Sequence, residues 1–420
     1  MKPTPLLVAM LMAFGAQTAS AQSQQAYDST NPWYLGVSGG LTHSSNVYKV
    51  GEGSTASAGQ SNSDMIATAS LLGGIDQRFG RQHLTADGTV TASRYQRNSM
   101  LNNLGYNGRL GLDWYTVNNI SGNFTVGGSR QLSSNNVGYG YEPLYEKNVA
   151  TNLYVSTVAH KGVVTEWTLD VGADYQRLSY SNVHYRTLDS NQHDVWIGPS
   201  WRPSDRLRLG VDYRRTQGNV PYYTTDLGTG ESVPYTFNRD DIDFTGTWIA
   251  SGASSFDWRL SRGKSKRTTA AGQDSRHTTG QLGWSWRPTG KLSFTAQYVH
   301  DTGLQSSFLS VVGYGVGVGG AQDQVVNTFR VYGNYQFSGK LSFGANAAYS
   351  PNSLRIVGLH GDPDAVYDGR DYSANLTSTW QYSRGISFTC QAGRQWRTGA
   401  AKLYPYTANS IGCSGQILFY

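Results

Sequence analysis

The feature that most constrains this chain is a long-range alternation of apolar and polar side chains. From Trp33 to the end, segments of about 10 to 13 residues repeat with a period of two, as in strands with two unlike faces. Strands of soluble sandwiches are typically about 5 to 6 residues long, whereas a strand that crosses a bilayer at a tilt needs about 9 to 11. The segment lengths therefore predict strands that cross a membrane.

Four segments show the pattern clearly, because their apolar residues all fall on one face and polar residues lie between them. These apolar sets are Leu207, Leu209, Val211 and Tyr213; Leu292, Phe294, Ala296 and Tyr298; Leu341, Phe343, Ala345, Ala347 and Tyr349; and Tyr372, Ala374, Leu376 and Trp380.

The breaks between segments alternate between short and long. Eight short breaks fall near 80–81, 117–119, 161–162, 203–205, 251–252, 288–290, 338–339 and 384–385. Nine long breaks fall near 44–63, 96–103, 131–147, 179–191, 216–236, 264–276, 302–323, 350–370 and 398–409. The pattern predicts an all-β fold, a transmembrane antiparallel β-barrel of about 18 strands with short periplasmic turns and long extracellular loops.

Composition excludes the main competing classes. Aromatic residues reach 12% and charged residues only 15%, whereas disordered chains have few aromatics and high charge. Past residue 22 no apolar run reaches the roughly 20 residues that a spanning helix needs. Long helical-period stretches are also missing, which argues against a cytosolic α/β enzyme, and the basic residues form no cluster that predicts nucleic-acid binding.

The first 21 residues have the features of a Sec signal peptide. Lys2 is followed by the apolar run 6–14 and by the small-residue site Ala19-Ser20-Ala21. We therefore predict a signal peptide at 1–21, a short periplasmic segment at 22–32 and an outer-membrane barrel at 33–420. With so short a leading segment, any periplasmic scaffold is expected to be a separate protein.

Aromatic residues support the same orientation. On the apolar face at the short-turn ends lie Phe79, Trp114, Trp201, Trp248, Trp286, Phe337, Tyr382 and Phe419, as in the girdle at a membrane interface. The final strand, 411–420, ends on Phe419 and Tyr420 and is similar to the C-terminal signature that barrel assembly machinery recognises. We expect outer-membrane lipid and that machinery as partners, and no nucleic acid.

The two cysteines fall in the last predicted hairpin. If it turns near residues 401–402, Cys390 lies opposite Cys413 with both on the outward face. A cross-strand disulfide fits this arrangement in an oxidising compartment, and so do two small apolar residues packed against lipid. Their number and spacing do not indicate a zinc site.

The inward face is polar and carries charges of both signs. Candidate contacts for a solute are Arg109, Arg206, Arg208, Arg214, Arg259 and Arg330, with the tyrosines Tyr115, Tyr154 and Tyr332. The arginines could bind acidic sugars or brace the wall through salt bridges. The tyrosines could stack on sugar rings or simply fill the wall. Charges of both signs argue against a single-sign filter.

Signals for catalysis are weak. Ser38 lies among glycines, but inside a predicted strand and without the strand–turn–helix setting of a nucleophile elbow. His300 beside Asp301 at a rim could imitate the catalytic group of a barrel hydrolase. We predict no enzyme, no cofactor and no metal. The loop at 303–323 is unusually apolar and either folds into the bore or packs on the rim.

Two runs of sequence carry a family resemblance. The run 31–49, NPWYLGVSGGLTHSSNVYK, and the run 73–84, GGIDQRFGRQHL, resemble the EpsL-type outer-membrane proteins of exopolysaccharide operons, which form a β-barrel porin family. The resemblance extends loosely over the mature chain. It implies export of a newly made exopolysaccharide chain, with periplasmic and inner-membrane polysaccharide synthesis and export machinery as partners.

Three hypotheses for function follow. The first is a conduit for an exopolysaccharide, in which many weak wall contacts let the polymer slide. The second is a general or nutrient-uptake porin. The third is a surface adhesin or a membrane-embedded hydrolase.

Overall fold

The computed structural model describes residues 31–54, 59–133, 145–162, 166–225, 231–267, 275–302, 325–356, 365–399 and 404–420. The predicted signal peptide, the segment that follows it up to residue 30, and the apolar loop at 303–323 lie outside the described residues. Within those ranges no helix is long and apolar enough to span a membrane.

Eighteen strands account for most of the described chain. They are β1 Trp33–Ser44, β2 Asp64–Phe79, β3 Gln82–Tyr95, β4 Asn103–Tyr115, β5 Ile120–Leu132, β6 Val149–Lys161, β7 Trp167–Tyr180, β8 Ser190–Ser204, β9 Leu207–Thr225, β10 Ser232–Ser251, β11 Ser254–Arg267, β12 Ser275–Trp286, β13 Leu292–Thr302, β14 Val325–Gln336, β15 Leu341–Ile356, β16 Ala365–Ser383, β17 Ile386–Gly399 and β18 Tyr406–Phe419. Two short 3₁₀ helices, Ser99–Leu101 and Val183–Leu188, lie in the long connections.

The strands form one closed sheet. Each strand pairs antiparallel with the next, and β18 pairs with β1 from Leu35↔Phe419 to Ser44↔Ser410. Closure leaves no unpaired backbone edge in lipid, which would be costly. Gly36 permits close packing at this seam, because a Cβ there would lie 2.6 Å from Leu418 Cδ2. The predicted 18-stranded antiparallel barrel is confirmed.

The outer face of the barrel is apolar. Along β1, Leu35 and Leu41 are 60% and 59% exposed, whereas the inward Tyr34 is 4% exposed. In water such a surface would be unfavourable, so its place is in a bilayer. The protein is an outer-membrane β-barrel, since closed antiparallel barrels with this exterior are the β-structures that span that membrane.

Two aromatic rings mark the limits of the membrane band. The lower ring, at the short turns, includes stacked pairs such as Trp167–Trp201. The upper ring includes Tyr372, which stacks on Trp396 with 4.9 Å between ring centroids. In β16, Trp380 of the lower ring lies eight positions from Tyr372, about 26 Å along a strand and about 20 Å across the bilayer at a tilt of about 40°.

Several predicted loops are partly strands, including those at 264–276 and 398–409, and two differ most. The breaks placed at 216–236 and 350–370 are wrong in extent, because β9 runs to Thr225, β10 starts at Ser232, β15 ends at Ile356 and β16 starts at Ala365. Beyond the bilayer neither face of a strand meets lipid, so the period-two pattern fades while backbone pairing continues. Pro234 lies at a register shift between β9 and β10, where the ladder tolerates a missing N–H.

The first extracellular loops share a small core of their own. Tyr48 and Leu101 are fully buried there, and Val50 is nearly so. Asp64, at the start of β2, accepts backbone hydrogen bonds from residues 96, 97 and 98 and from the Asn98 side chain. The loops over β1–β5 are thus held to the barrel rim by both apolar packing and a buried carboxylate.

Candidate functional site: the bore

The inward side chains divide the bore into two walls of different chemistry. We define the charged wall, on β7–β14, by Asp170, Asp174, Asp194, Arg208, Asp212, Arg214, Arg239, Asp241, Asp243, Asp257, Arg259, Asp301 and Arg330. We define the neutral wall, on β15–β18 and β1, by Ser342, Asn346, Ser373, Asn375, Thr377, Thr379, Thr389, Gln391, Ser410, Ser414, Gln416, Ser38 and Thr42. The strand register places both sets on the face opposite the lipid-exposed residues.

The centre of the charged wall is a network of ion pairs. Arg239 donates to Asp241 at 2.6 Å and lies 3.7 Å from Asp301, so one guanidinium links β10 to β13. His277 of β12 contacts the other oxygen of Asp241 at 2.7 Å. Arg214 forms an ion pair with Asp243, whose carboxylate is fully buried. These contacts join side chains of four strands, β9, β10, β12 and β13.

A second pair of contacts lies nearer the periplasmic end. Asp170 of β7 receives His160 at 2.6 Å and Arg208 at 2.5 Å. Arg208 also donates to Ser200 Oγ at 3.1 Å, so it joins β7, β8 and β9. Its side chain is one-third exposed, unlike the central arginines, and it presents a cation to the water of the bore.

Three arginines of this wall, Arg208, Arg214 and Arg239, are paired with four of its aspartates. The carboxylates of Asp241 and Asp301 are 1% and 2% exposed, and the side chains of Arg214 and Arg239 are 13% and 15% exposed. Arg259 lies within electrostatic range of two acids, Asp243 and Asp301, and of two arginines. Removing one member of such a buried set leaves an uncompensated charge, so the network stabilises the wall as a unit.

The neutral wall consists of small hydroxyl and amide side chains. Some of these side chains form hydrogen bonds across neighbouring strands, as between Thr379 Oγ1 and Thr389 Oγ1 at 3.1 Å. Asn375 pairs with Gly393 and Asn346, and Thr377 with Gly344, so rows of hydrogen-bonding groups alternate with glycines. This surface offers a passing hydroxylated molecule many weak partners and no strong charge.

The arginines predicted to contact a solute do not all lie in the same part of the bore. Arg208, Arg214, Arg259 and Arg330 belong to the charged wall, and Arg330 donates to Gln297 at 3.4 Å. Outside that wall, Arg109 of β4 lies opposite Asp87 of β3 on the inward face.

The position predicted for Arg206 is wrong. The residue lies in the tight exposed turn between β8 and β9, not on the bore wall. The alternation of inward and outward residues does not continue through this turn, so it cannot assign Arg206 to the inward face.

The three predicted tyrosines also differ. Tyr154 lies flat over Gly127, since a Cβ at that glycine would be 2.4 Å from the ring, so Tyr154 fills the wall. Tyr115 is 49% exposed at the periplasmic end of β4. Tyr332 faces inward on β14 and is 41% exposed, beside Asn346 of the neutral wall. Of the three, Tyr332 has the geometry to contact a solute well inside the bore.

The cysteines lie on the outer surface. Cys390 of β17 pairs with Cys413 of β18 in the register that the hairpin argument gave, and the two form a disulfide with their Cα atoms 4.0 Å apart. Their neighbours on the same face, Phe388 and Ile411, are 46% and 62% exposed to lipid. The bond therefore joins the last two strands without touching the bore.

The residues considered for catalysis do not come together. His300 points outward to Asn327 at 2.8 Å, while Asp301 points into the charged wall, because successive strand residues face opposite sides. Ser38 lies inside β1 as predicted. Among the described residues, no group of three His, Cys, Asp or Glu side chains is arranged to hold a metal ion.

Sequence reasoning missed three elements of the bore. Arg239 was left out, although Arg239, Asp241 and Asp243 recur at every second position and so share one face. His160 and His277 stand near no aspartate that a sequence pattern singles out, and only the cross-strand register brings each to an aspartate. The pair Arg397–Asp371, at 2.7 Å, marks the extracellular mouth.

Lys49 reaches the same mouth from the first loop. Its Nζ lies 5.9 Å from the ring centroid of Tyr406, and the guanidinium of Arg397 lies 5.5 Å from that same ring. The pKa of Lys49 is lowered from its usual value to about 8, mainly by burial and secondly by the nearby Arg397, while Asp371 opposes the shift. No sequence pattern connects a loop lysine with strands that lie more than 300 residues later.

Comparison with known proteins gives a fold-level likeness only. No family model matches the chain, and no curated protein matches it. Among solved structures, Pseudomonas aeruginosa OpdL superposes with a TM-score of 0.42 at 11% identity, covering 93% of this chain and 98% of OpdL.

Two further structures superpose comparably. Pseudomonas aeruginosa OccK2 (OpdF), solved in complex with glucuronate, gives a TM-score of 0.43 at 12% identity, covering 93% and 98% of the two chains. The siderophore receptor PirA of the same organism gives 0.40 at 12% identity, covering 92% of this chain and 80% of PirA. These values do not bear on what passes through the present bore.

Proposed function

We propose that this protein is an outer-membrane channel for small hydrophilic solutes. The observation that carries the proposal is the division of the bore into a wall of charged side chains, several of them in ion pairs, and a wall of uncharged hydroxyl and amide groups. A polar, inward face in a closed barrel of this strand number is the arrangement of aqueous diffusion pores.

The two walls have separate roles in this proposal. The charged wall holds eight aspartates and five arginines, so it favours cations over anions, while its ion pairs keep single charges from binding a solute tightly. The neutral wall replaces part of the hydration of a solute with weak hydrogen bonds, which form and break without a deep trap. Arg208 and Tyr332, the more exposed groups, add local contacts for a carboxylate or for the flat face of a sugar ring.

The test narrows the bore from the neutral wall. Asn375→Trp places an indole inside, whereas Leu376→Trp, its neighbour on β16, places the same indole in lipid. In proteoliposomes, we expect Asn375→Trp to slow entry of mono- and disaccharides severalfold and Leu376→Trp to leave it unchanged. Equal rates in wild-type protein and both folded variants would contradict a role for this bore in solute entry.

A second candidate is passage of an exopolysaccharide chain. Two observations support it: the resemblance of the runs 31–49 and 73–84 to the EpsL-type proteins, and the inward exposure of Tyr332 beside the hydroxyl and amide rows. Repeated weak sites along a neutral wall suit a polymer that must slide.

A gene deletion distinguishes the two cargoes. Loss of secreted polymer with normal small-solute uptake supports export, and the reverse supports a diffusion channel. Complementation with Tyr332→Ala should lower polymer secretion only if the polymer contacts this ring, while complementation with Leu376→Trp should restore secretion fully.

A further inference from the structure

The outer surface carries a group of cations at the extracellular end of three neighbouring strands. We call it the outer basic patch and define it by Arg215 of β9, Arg262, Lys264 and Lys266 of β11, and Arg276 of β12. All five side chains are exposed. They alternate along the strands with the inward residues of the charged wall, so they point away from the bore.

The strand register brings these cations into contact range of one another. One row across the sheet runs Arg215↔Asp240↔Lys264↔Arg276. Adjacent strands are about 4.8 Å apart, so three cations and one acid occupy a strip about 15 Å wide. Arg262 lies one pleat below this row and Lys266 one pleat above.

The charges in this patch are not balanced. Lys264 and Arg276 lie directly opposite each other, and like charges in that position destabilise a sheet. Asp240 is the single acid in the row, and it already accepts a hydrogen bond from the Tyr213 hydroxyl at 2.7 Å. An anion bound between Lys264 and Arg276 would convert their repulsion into attraction.

The patch begins where the lipid-facing surface ends. In the row that holds Arg262, Ile242 is 53% exposed and Tyr213 is 45% exposed, and Leu260 one pleat lower is 54% exposed. The apolar side chains below and the cations above are complementary to a lipid whose chains lie in the bilayer and whose anionic head group lies at its surface.

We propose that the outer basic patch binds the phosphate groups of a phosphorylated glycolipid in the outer leaflet. Guanidinium groups suit phosphate because their donors form a planar fork, and a lysine adds a point charge. Arg262 is oriented for this role by a hydrogen bond from Nη1 to Thr278 Oγ1. The acyl chains of the glycolipid lie against Leu260 and Ile242 below.

Charge complementarity selects a phosphorylated lipid over a neutral one. Other outward cations, Arg94 of β3, Arg130 of β5 and Arg177 of β7, are exposed near their extracellular strand ends, each on its own strand. They supply a matched control, because changing three of them removes the same net charge from the same side of the barrel without touching the patch.

The experiment uses the full mature protein in neutral phosphatidylcholine nanodiscs, with bis-phosphorylated lipid A as the probe and native mass spectrometry as the readout. The patch variant is Arg262→Gln, Lys264→Gln and Arg276→Gln together; the control is Arg94→Gln, Arg130→Gln and Arg177→Gln. Each cation near the membrane surface strengthens binding of an anionic lipid, and the patch variant lacks three of them. We therefore expect the patch variant to bind at least about tenfold more weakly and the control to stay within about threefold of wild type.

Three outcomes would overturn the proposal. The first is that wild type and the patch variant bind lipid A equally well, and the second is that wild type binds dephosphorylated lipid A as well as the bis-phosphorylated form. The third is that phosphatidylglycerol displaces bound lipid A as readily as free lipid A does. The last would show an unspecific response to anionic lipid.

A single variant keeps the test independent of folding losses in the triple one. Arg276→Gln removes the repulsion with Lys264 and leaves Lys264 opposite Asp240, so without the glycolipid we expect it to unfold at a higher temperature than wild type. With the bis-phosphorylated glycolipid, wild type should show the larger rise in melting temperature. The same rise in both proteins would contradict the assigned site.

Discussion

At the scale of single residues, a buried charged side chain in the bore is stable only when its ion-pair partner is present. Asp243 is fully buried and forms an ion pair with Arg214, with Arg259 also within electrostatic range. The desolvation cost of each charge is offset only while the set is complete. The identity of a residue on the charged wall therefore matters less than whether its partner is present.

The first prediction tests this dependence. Asp243→Asn leaves the buried guanidinium of Arg214 without its carboxylate, and we expect the free energy of unfolding to fall by about 3 kcal/mol. The double variant Asp243→Leu with Arg214→Met should lose less than the single one, because both charges of the pair are removed together and Arg259 still lies within electrostatic range of Asp301. Urea unfolding in lipid vesicles measures both, and a double variant less stable than Asp243→Asn would refute the argument.

The second prediction concerns the pH dependence of Lys49. Its pKa in the folded protein is about 8, lowered from 10.5, so the cation at the extracellular mouth is lost as pH rises through 8. Between about pH 8 and pH 10.5 the unfolded chain binds the proton that the folded one has released, so Lys49 makes stability increase with pH in that window.

Reversal potentials in planar bilayers provide the measurement. We expect the ion selectivity of the wild-type channel to shift towards cations between pH 7 and pH 9, because a positive charge leaves the mouth. Lys49→Met should show the shifted selectivity already at pH 7 and no step in this range. An identical pH profile in both proteins would show that Lys49 does not face the conducting path.

At the scale of elements, the last hairpin is held by a covalent bond on its lipid face. The disulfide between Cys390 and Cys413 spans 23 positions of sequence. It joins β17 to the strand that closes the barrel against β1. The bond constrains the unfolded chain near the closing strand while leaving the bore unchanged.

The third prediction follows from that position. Replacing both cysteines with serine should lower the free energy of unfolding by about 3 kcal/mol, the entropy of a loop of this size. Single-channel conductance should not change, since both side chains face lipid. Alkylation of the denatured, unreduced protein should find no free thiol; two reactive thiols would mean that the pair packs without a bond.

At the scale of the whole molecule, the alternation of turn lengths gives the barrel its orientation. The short turns, such as the one at Asp205, lie at one end together with the lower aromatic ring, and the long loops with their small core lie at the other. Barrels of this kind place short turns in the periplasm. The outer basic patch is then on the outer leaflet and Lys49 at the external mouth.

The fourth prediction tests this orientation by labelling. In a protein whose native cysteines are changed to serine, Ser99→Cys should react with a membrane-impermeant maleimide on intact cells. Asp205→Cys should react only after the outer membrane is opened. The reverse pattern would invert the barrel and move the basic patch to the inner leaflet.

The sequence alone determined the class of the fold, because lipid outside and water inside impose a period of two on every strand. In segments such as 292–298 and 372–380 the alternation indicates which side chains face the bilayer. The spacing of the turns predicts the number of strands and the register that places the two cysteines opposite each other. The same rule failed at Arg206 and in the projecting ends of β9, β10, β15 and β16, where a turn interrupts the period or no bilayer contrasts the two faces.

Only the tertiary structure decided which charges meet. His277 reaches Asp241 and Arg239 reaches Asp301 across strands that are far apart in sequence, and Lys49 reaches the mouth from a loop. Alternation assigns a side chain to one face of the sheet. Its position along the barrel axis and the residue beside it on the next strand depend on strand register and barrel closure. The division into a charged and a neutral wall is therefore a property of the closed barrel, because the neutral wall exists only once β1 from the start of the chain pairs with β18 at its end.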